Sequence, residues 1–181
     1  MLAHLCTLGS ALGVHRGGRS NPALRCVPMA LSVGDPAPQF TLTDQSGGQV
    51  SLTGLSGRPV LVYFYPKSDT PGCTTQALGL QAILDRIGDT AVVGISPDPP
   101  DRLTRFRDKH SLSFALLSDP DHSVAESYGV WVERSMYGRR YMGIERSAFL
   151  VGADGRLEEV WYKVSPKDTA AKLTKALAAR H

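Results

Sequence analysis

Pro59-Val60-Leu61-Val62-Tyr63-Phe64-Tyr65 is an unbroken apolar and β-branched run bounded by Gly57 and Pro66, the pattern of a strand buried on both faces. Ahead of it, Phe40-Thr41-Leu42-Thr43 and Val50-Ser51-Leu52 flank Gly47-Gly48, which predicts a short hairpin. Behind it, after Lys67 to Gly72, the apolar residues Ala77, Leu80, Leu84 and Ile87 recur at helical spacing as far as Gly88. One helix is expected to run to that glycine. Ala91 to Ile95 predicts a second buried strand, Asp101 to His110 a charged helix carrying Leu103 and Phe106, Phe114 to Leu117 a short strand and Asp121 to Tyr128 a short helix. Ser147 to Val151 then pairs with Leu157 to Val164 across the Asp154-Gly155 turn, and a last helix runs from Pro166 in its first turn to Ala179. Strands alternating with helices, closed by a hairpin and a helix, imply an α/β domain with a mixed central β-sheet and helices on both faces.

The first 28 residues lack this organisation. They hold scattered Gly and Ser, the breakers Pro22 and Pro28, and Arg16, Arg19 and Arg25 with no acid. Residues 1–30 are therefore expected to be a disordered leader outside the fold, and residues 31–181 the domain. The apolar stretch from Leu2 to Val14 is interrupted by His4, Thr7, Gly9, Ser10 and Gly13, which suits a secretory signal poorly and an organelle transit peptide better. An over-called start is preferred to targeting, because Met29 stands immediately before the patterned region; a cytoplasmic protein is then expected, or an organellar one if the leader is a transit peptide. Net charge is +3. Without the three leader arginines, 17 basic and 17 acidic side chains balance, so neither nucleic acid nor an anionic membrane is expected as a partner. No apolar run reaches the length needed to span a bilayer.

With 42% hydrophobic residues in 181, the chain can bury a full core without disulfides or metal. Its three cysteines form no CxxC pair and no zinc-type spacing with histidine. No cofactor and no metal is expected, and any cysteine chemistry is that of a single thiol. Cys73 stands where the loop after the core strand turns into a helix, among unpaired backbone N–H groups at the positive end of the helix dipole. That position favours thiolate over thiol. The plain alternative, a small buried hydrophobe, belongs more often inside a strand or helix than in a polar turn rich in Pro and Gly. Nearby, Pro66 ends the strand and can shield the sulfur, and the Thr70 hydroxyl can hydrogen-bond at the thiolate.

Pro66-x-x-x-Thr70-x-x-Cys73 resembles the active-site loop of peroxiredoxins. Phe64-Tyr65-Pro66-Lys67 with Thr70-Pro71-Gly72-Cys73-Thr74 is similar to the bacterioferritin comigratory protein, or peroxiredoxin Q, branch. The likeness continues through Val93-Gly94-Ile95-Ser96-Pro97-Asp98, Leu116-Leu117-Ser118-Asp119, Tyr128-Gly129-Val130-Trp131 and Gly143-Ile144-Glu145-Arg146-Ser147. It implies a thioredoxin-like fold and a thioredoxin-dependent type of peroxidase in which Cys73 is the peroxidatic nucleophile, with Pro66, Thr70 and Arg146 as the other site residues. The chemistry agrees: a thiolate attacking an O–O bond needs donors that hold the peroxide and stabilise the leaving oxygen, and Arg146 offers a permanent cation with several N–H groups.

The chain departs from the branch in two places. The resolving cysteine that many members carry five residues after the first is Leu78 here, and the threonine usual after the arginine is Ala148. Cys6 and Cys26 lie in the leader. The expected reaction therefore uses one cysteine: a hydroperoxide substrate oxidises Cys73 to a sulfenic acid, which thioredoxin, glutathione or a glutaredoxin reduces, in a protein that the branch suggests is a monomer. A redox-responsive binding protein or holdase without turnover is the alternative, and a disulfide reductase is disfavoured by the missing CxxC. His110 and His122 are expected at the surface or as caps, Arg139-Arg140 as a solvated loop pair, and Trp131, Tyr137 and Tyr141 either lining the approach to Cys73 or simply packing.

Overall fold

The computed structural model describes residues 30–136 and 138–180; the leader, with Cys6 and Cys26, and Tyr137 lie outside the described residues. Seven strands form one sheet in the order β2-β1-β5-β4-β3-β8-β9. Its centre is the uninterrupted apolar run, β3 (Val60–Phe64), buried at all five positions. It pairs in parallel with β4 (Ala91–Ser96) and antiparallel with β8 (Ser147–Val151). Beyond β4 lies β5 (Ala115–Ser118), then the hairpin β1 (Thr41–Asp44) and β2 (Gln49–Ser51); beyond β8 lies β9 (Leu157–Trp161).

Because side chains alternate across a strand, β3 feeds two cores. Leu61, Tyr63 and Tyr65 face the cluster under α1 (Pro71–Gln81), α2 (Pro100–His110) and α4 (Thr169–Ala178), which supply Ala77 and Leu80, Leu103 and Phe106, and Leu173. Val60, Val62 and Phe64 face a second cluster with Phe40, Leu52 and the Val124, Ala125 and Tyr128 of α3 (Ser123–Ser127) and its C-cap. Each large side chain so buried contributes about 1.5–3 kcal/mol, and this two-sided burial fixes the strand from which the Cys73 loop departs. Gly94, opposite Tyr63 on β4, is required there: a Cβ would meet the Tyr63 hydroxyl at 2.7 Å.

Several boundaries differ from the sequence pattern. The helix after Gly72 begins earlier, at Pro71, since proline is well placed in a first turn, and it stops at Gln81; Leu84–Arg86 forms a separate 3-10 turn. The second long hairpin strand ends at Trp161, and the last helix starts at Thr169, with Asp168 rather than Pro166 at its boundary. The expected loop around Arg139-Arg140 is a two-stranded ribbon, β6 (Trp131–Met136) with β7 (Arg139–Ile144). Most of β7 is exposed, so its sequence carries none of the apolar alternation that marks a half-buried strand; Arg140 pairs there with Glu133 at 3.2 Å. No described helix is long and apolar enough to cross a membrane.

Candidate active site

The loop from β3 to α1 is pinned before it reaches the cysteine. Ser68 is fully buried, its N–H donates to Asp98 Oδ2 at 2.5 Å, and its hydroxyl lies 3.3 Å from that of Tyr65. Asp98 also pairs with Arg102 of α2 at 3.4 Å. Asp69 takes the left-handed conformation, φ 60°, and its carboxylate accepts from Lys109 Nζ at 2.7 Å and lies 3.2 Å from His110 Nε2. The Lys109 bond, with that of His110, holds the Asp69 carboxyl below its ordinary range. Thr70 is extended, ψ 152°, as the residue before a proline must be. Pro71 opens α1, and Cys73 lies in its first turn, where N–H groups have no intrahelical acceptor.

Cys73 is buried, with 1% of its surface exposed. Its sulfur accepts from Arg146 Nη2 at 3.3 Å. Arg146 stands in the short link between β7 and β8, its carbonyl accepting from the Val164 N–H at 2.9 Å. The other arm of the guanidinium, Nη1, donates to Gln76 Oε1 at 2.5 Å. Gln76 Nε2 donates to Thr169 Oγ1 at 2.9 Å, and that hydroxyl donates to the Ser165 carbonyl at 3.3 Å. Gln76 and Thr169 are both fully buried. The bonds run in one direction from the cation to a backbone carbonyl, each group spending a donor on the next acceptor. Gly72 makes room for the fork: a Cβ there would sit 3.3 Å from Arg146 Nη2 and 3.4 Å from Pro166 Cγ.

Cys73 and Arg146, 73 residues apart in the chain, are thus in contact. Thr70 is half-buried, and its hydroxyl donates to the Lys67 carbonyl at 3.1 Å; no bond from it to the sulfur occurs among the described residues. Pro66 lies two residues past the end of β3 and is exposed. Trp131 packs against the second core and stacks on His122 at 3.7 Å rather than lining the approach to Cys73, and Tyr141 is 45% exposed. His122 occupies the N-cap position of α3 without a side-chain cap bond, while His110 ties α2 to Asp69. Gln76 and Thr169 had no sequence signal beyond the three-residue spacing that puts Gln76 on the face of Cys73. Tyr63 and Tyr65 share the cluster of Cys73, and burial pushes both phenols up, so they are neutral near the sulfur. Among the described residues no three His, Cys, Asp or Glu groups are placed to hold a metal ion.

The profile of the AhpC/TSA family matches residues 33–160. Peroxiredoxin Bcp of Escherichia coli K12 is 53% identical over 133 residues, covering 72% of this chain and 85% of its own length. Among solved structures, the Xanthomonas campestris bacterioferritin comigratory protein, whose alkyl peroxide reduction activity is described, aligns at 34% identity with a TM-score of 0.74 over 78% of this chain and 91% of its own. Peroxidoxin BcpB of Mycobacterium tuberculosis aligns at 31% identity with a TM-score of 0.73 over 82% and 97%.

Proposed function

This chain belongs to the AhpC/TSA family as a peroxiredoxin of the Bcp and peroxiredoxin Q type, and from that premise we propose that it reduces hydrogen peroxide and organic hydroperoxides through Cys73 alone. The observation that carries the assignment of residues is the 3.3 Å bond from Arg146 Nη2 to Cys73 Sγ. It joins the nucleophile to a cation that stays charged throughout the reaction.

In the first step the Cys73 thiolate attacks one oxygen of the hydroperoxide. The S–O bond forms as the O–O bond breaks, sulfur is oxidised to the sulfenic acid, and the other oxygen leaves as water or an alcohol after taking a proton. Negative charge moves from sulfur to the leaving oxygen, and the Arg146 fork lies where it can follow that charge. Gln76 holds the fork from behind. Thr70, at the mouth of α1, supplies a hydroxyl that turns from the Lys67 carbonyl to the peroxide, and Pro66 borders the loop. In the second step an external thiol attacks the sulfenic sulfur and expels water, giving a mixed disulfide; a second thiol releases Cys73. Thioredoxin, glutathione and a glutaredoxin are the reductants of the right chemistry, and a reducing, cytoplasmic compartment would keep them available. A redox sensor needs only a reactive thiol, whereas the buried chain from Arg146 to Thr169 supports turnover.

The test is single-turnover peroxide consumption by reduced protein. One equivalent should be consumed per Cys73, with sulfenic acid trapped there by dimedone, and Cys73→Ser should consume none, since a serine hydroxyl does not ionise near neutral pH. Peroxide reduction by Cys73→Ser would end the assignment.

A further inference from the structure

Behind Arg146 the surface opens into a cleft of about 420 Å³ lined by Arg134, Glu145, Arg146, Lys163 and Val164. Its ionisable lining is three cations to one carboxylate. The Arg134 guanidinium is fixed there by donating from Nη1 to the Ile144 carbonyl at 2.9 Å, which leaves the remaining N–H groups of its fork for a ligand. Lys163 is held in the left-handed conformation, φ 53°, a conformation rarely taken by a side-chain-bearing residue other than Asn or Asp. Its side chain is 78% exposed, and the ammonium lies 3.8 Å from Glu145, a distance that marks a loose pair rather than a satisfied one. Arg146, whose guanidinium touches the Cys73 sulfur, is part of the lining.

We propose that this cleft binds the reducing thiol, and that the thiol is a small peptide bearing two carboxylates and one ammonium group, as glutathione does. The proposal rests on Cys73 being the peroxidatic residue. Arg134 and Lys163 take the two carboxylates, and Glu145 takes the ammonium, so the ligand's charges mirror those of the lining. Cys73 is 1% exposed while α1 is wound, so the thiol reaches it once the first turn opens, from the side on which Arg146 joins the cleft to the sulfur. Its thiol attacks the sulfenic sulfur, the S–S bond forms as the S–O bond breaks, and the oxygen leaves with the thiol proton as water. A second molecule of the same thiol then displaces Cys73 and carries off the disulfide.

Recycling of peroxide-oxidised full-length protein is measured with glutathione and with 2-mercaptoethanol, which has no charge to bind. Glutathione should show saturation and a rate that falls with ionic strength, and 2-mercaptoethanol neither. In Arg134→Gln with Lys163→Gln, the ratio of the glutathione rate to the 2-mercaptoethanol rate should fall about tenfold or more, a few-fold for each exposed ionic contact. An unchanged ratio overturns the proposal, as does recycling by thioredoxin with no response to glutathione. Failure of the reduced wild-type protein to consume peroxide would instead overturn the role of Cys73, so the two readings fail separately.

Discussion

Replacing Gln76 by Leu isolates what the buried chain behind the sulfur does. The side chains are similar in volume and the site is fully buried, so packing is nearly conserved. What is lost is the acceptor of the 2.5 Å bond from Arg146 Nη1 and the donor to Thr169. Thr169 keeps its bond to the Ser165 carbonyl and is not orphaned. A hydrogen bond to a charged group is worth about 1.5–3 kcal/mol net, and each 1.36 kcal/mol is tenfold in rate. If the whole of it goes to holding the fork on the reacting atoms, Cys73 oxidation should slow about 10- to 150-fold. Melting should shift by only a few degrees, because Arg146 is half-exposed and water can solvate the released N–H groups. Stopped-flow mixing of reduced protein with peroxide measures the rate, with intrinsic fluorescence as the signal, since Trp161 packs against the cluster that contains Cys73. Gln76→Glu retains an acceptor and should recover most of the rate. The reasoning is refuted if Gln76→Leu oxidises within about twofold of wild type, or if the Leu and Glu variants slow equally.

Arg146→Lys keeps the charge but cannot donate to Cys73 and Gln76 from one planar fork, so peroxide reactivity should drop on the order of a hundredfold; equal rates in the same stopped-flow assay would remove Arg146 from the site. Leu78→Cys tests whether α1 opens: position 78 is 44% exposed while Cys73 is buried, the two lie on different faces of one helix, and they are too far apart for a relaxed disulfide. Intact mass after peroxide should show the loss of two hydrogens, and a variant that never forms this bridge would mean that α1 stays wound when Cys73 is oxidised. Deleting residues 1–28 should leave peroxide turnover and melting temperature unchanged, because the family match begins at residue 33; a clear loss of either would show that this segment packs on the domain.

Much of this was legible from the chain alone because it is local. The run from Val60 to Tyr65 and the breaker Pro66 mark a buried strand, a loop and then a helix with Cys73 at its mouth, although that helix already starts at Pro71 within the expected loop, and the spaced motifs around them identify the peroxiredoxin likeness and single out Arg146. Helix ends were less legible: the apolar spacing from Ala77 to Ile87 continues past Gln81, yet the helix does not, since burial of Ile83 and Ile87 in the core is satisfied equally by a tighter turn. The β6–β7 ribbon escaped because exposed strands need no alternation. What only the tertiary structure decided is the set of partners. Nothing in the sequence ties Gln76 to Thr169, 93 positions away, or gathers Arg134 and Lys163 around Glu145 and Arg146. Hydrogen bonds and charge clusters between distant elements follow from how helices and strands dock, and docking is set by the summed burial of two cores rather than by any residue's neighbours in the chain.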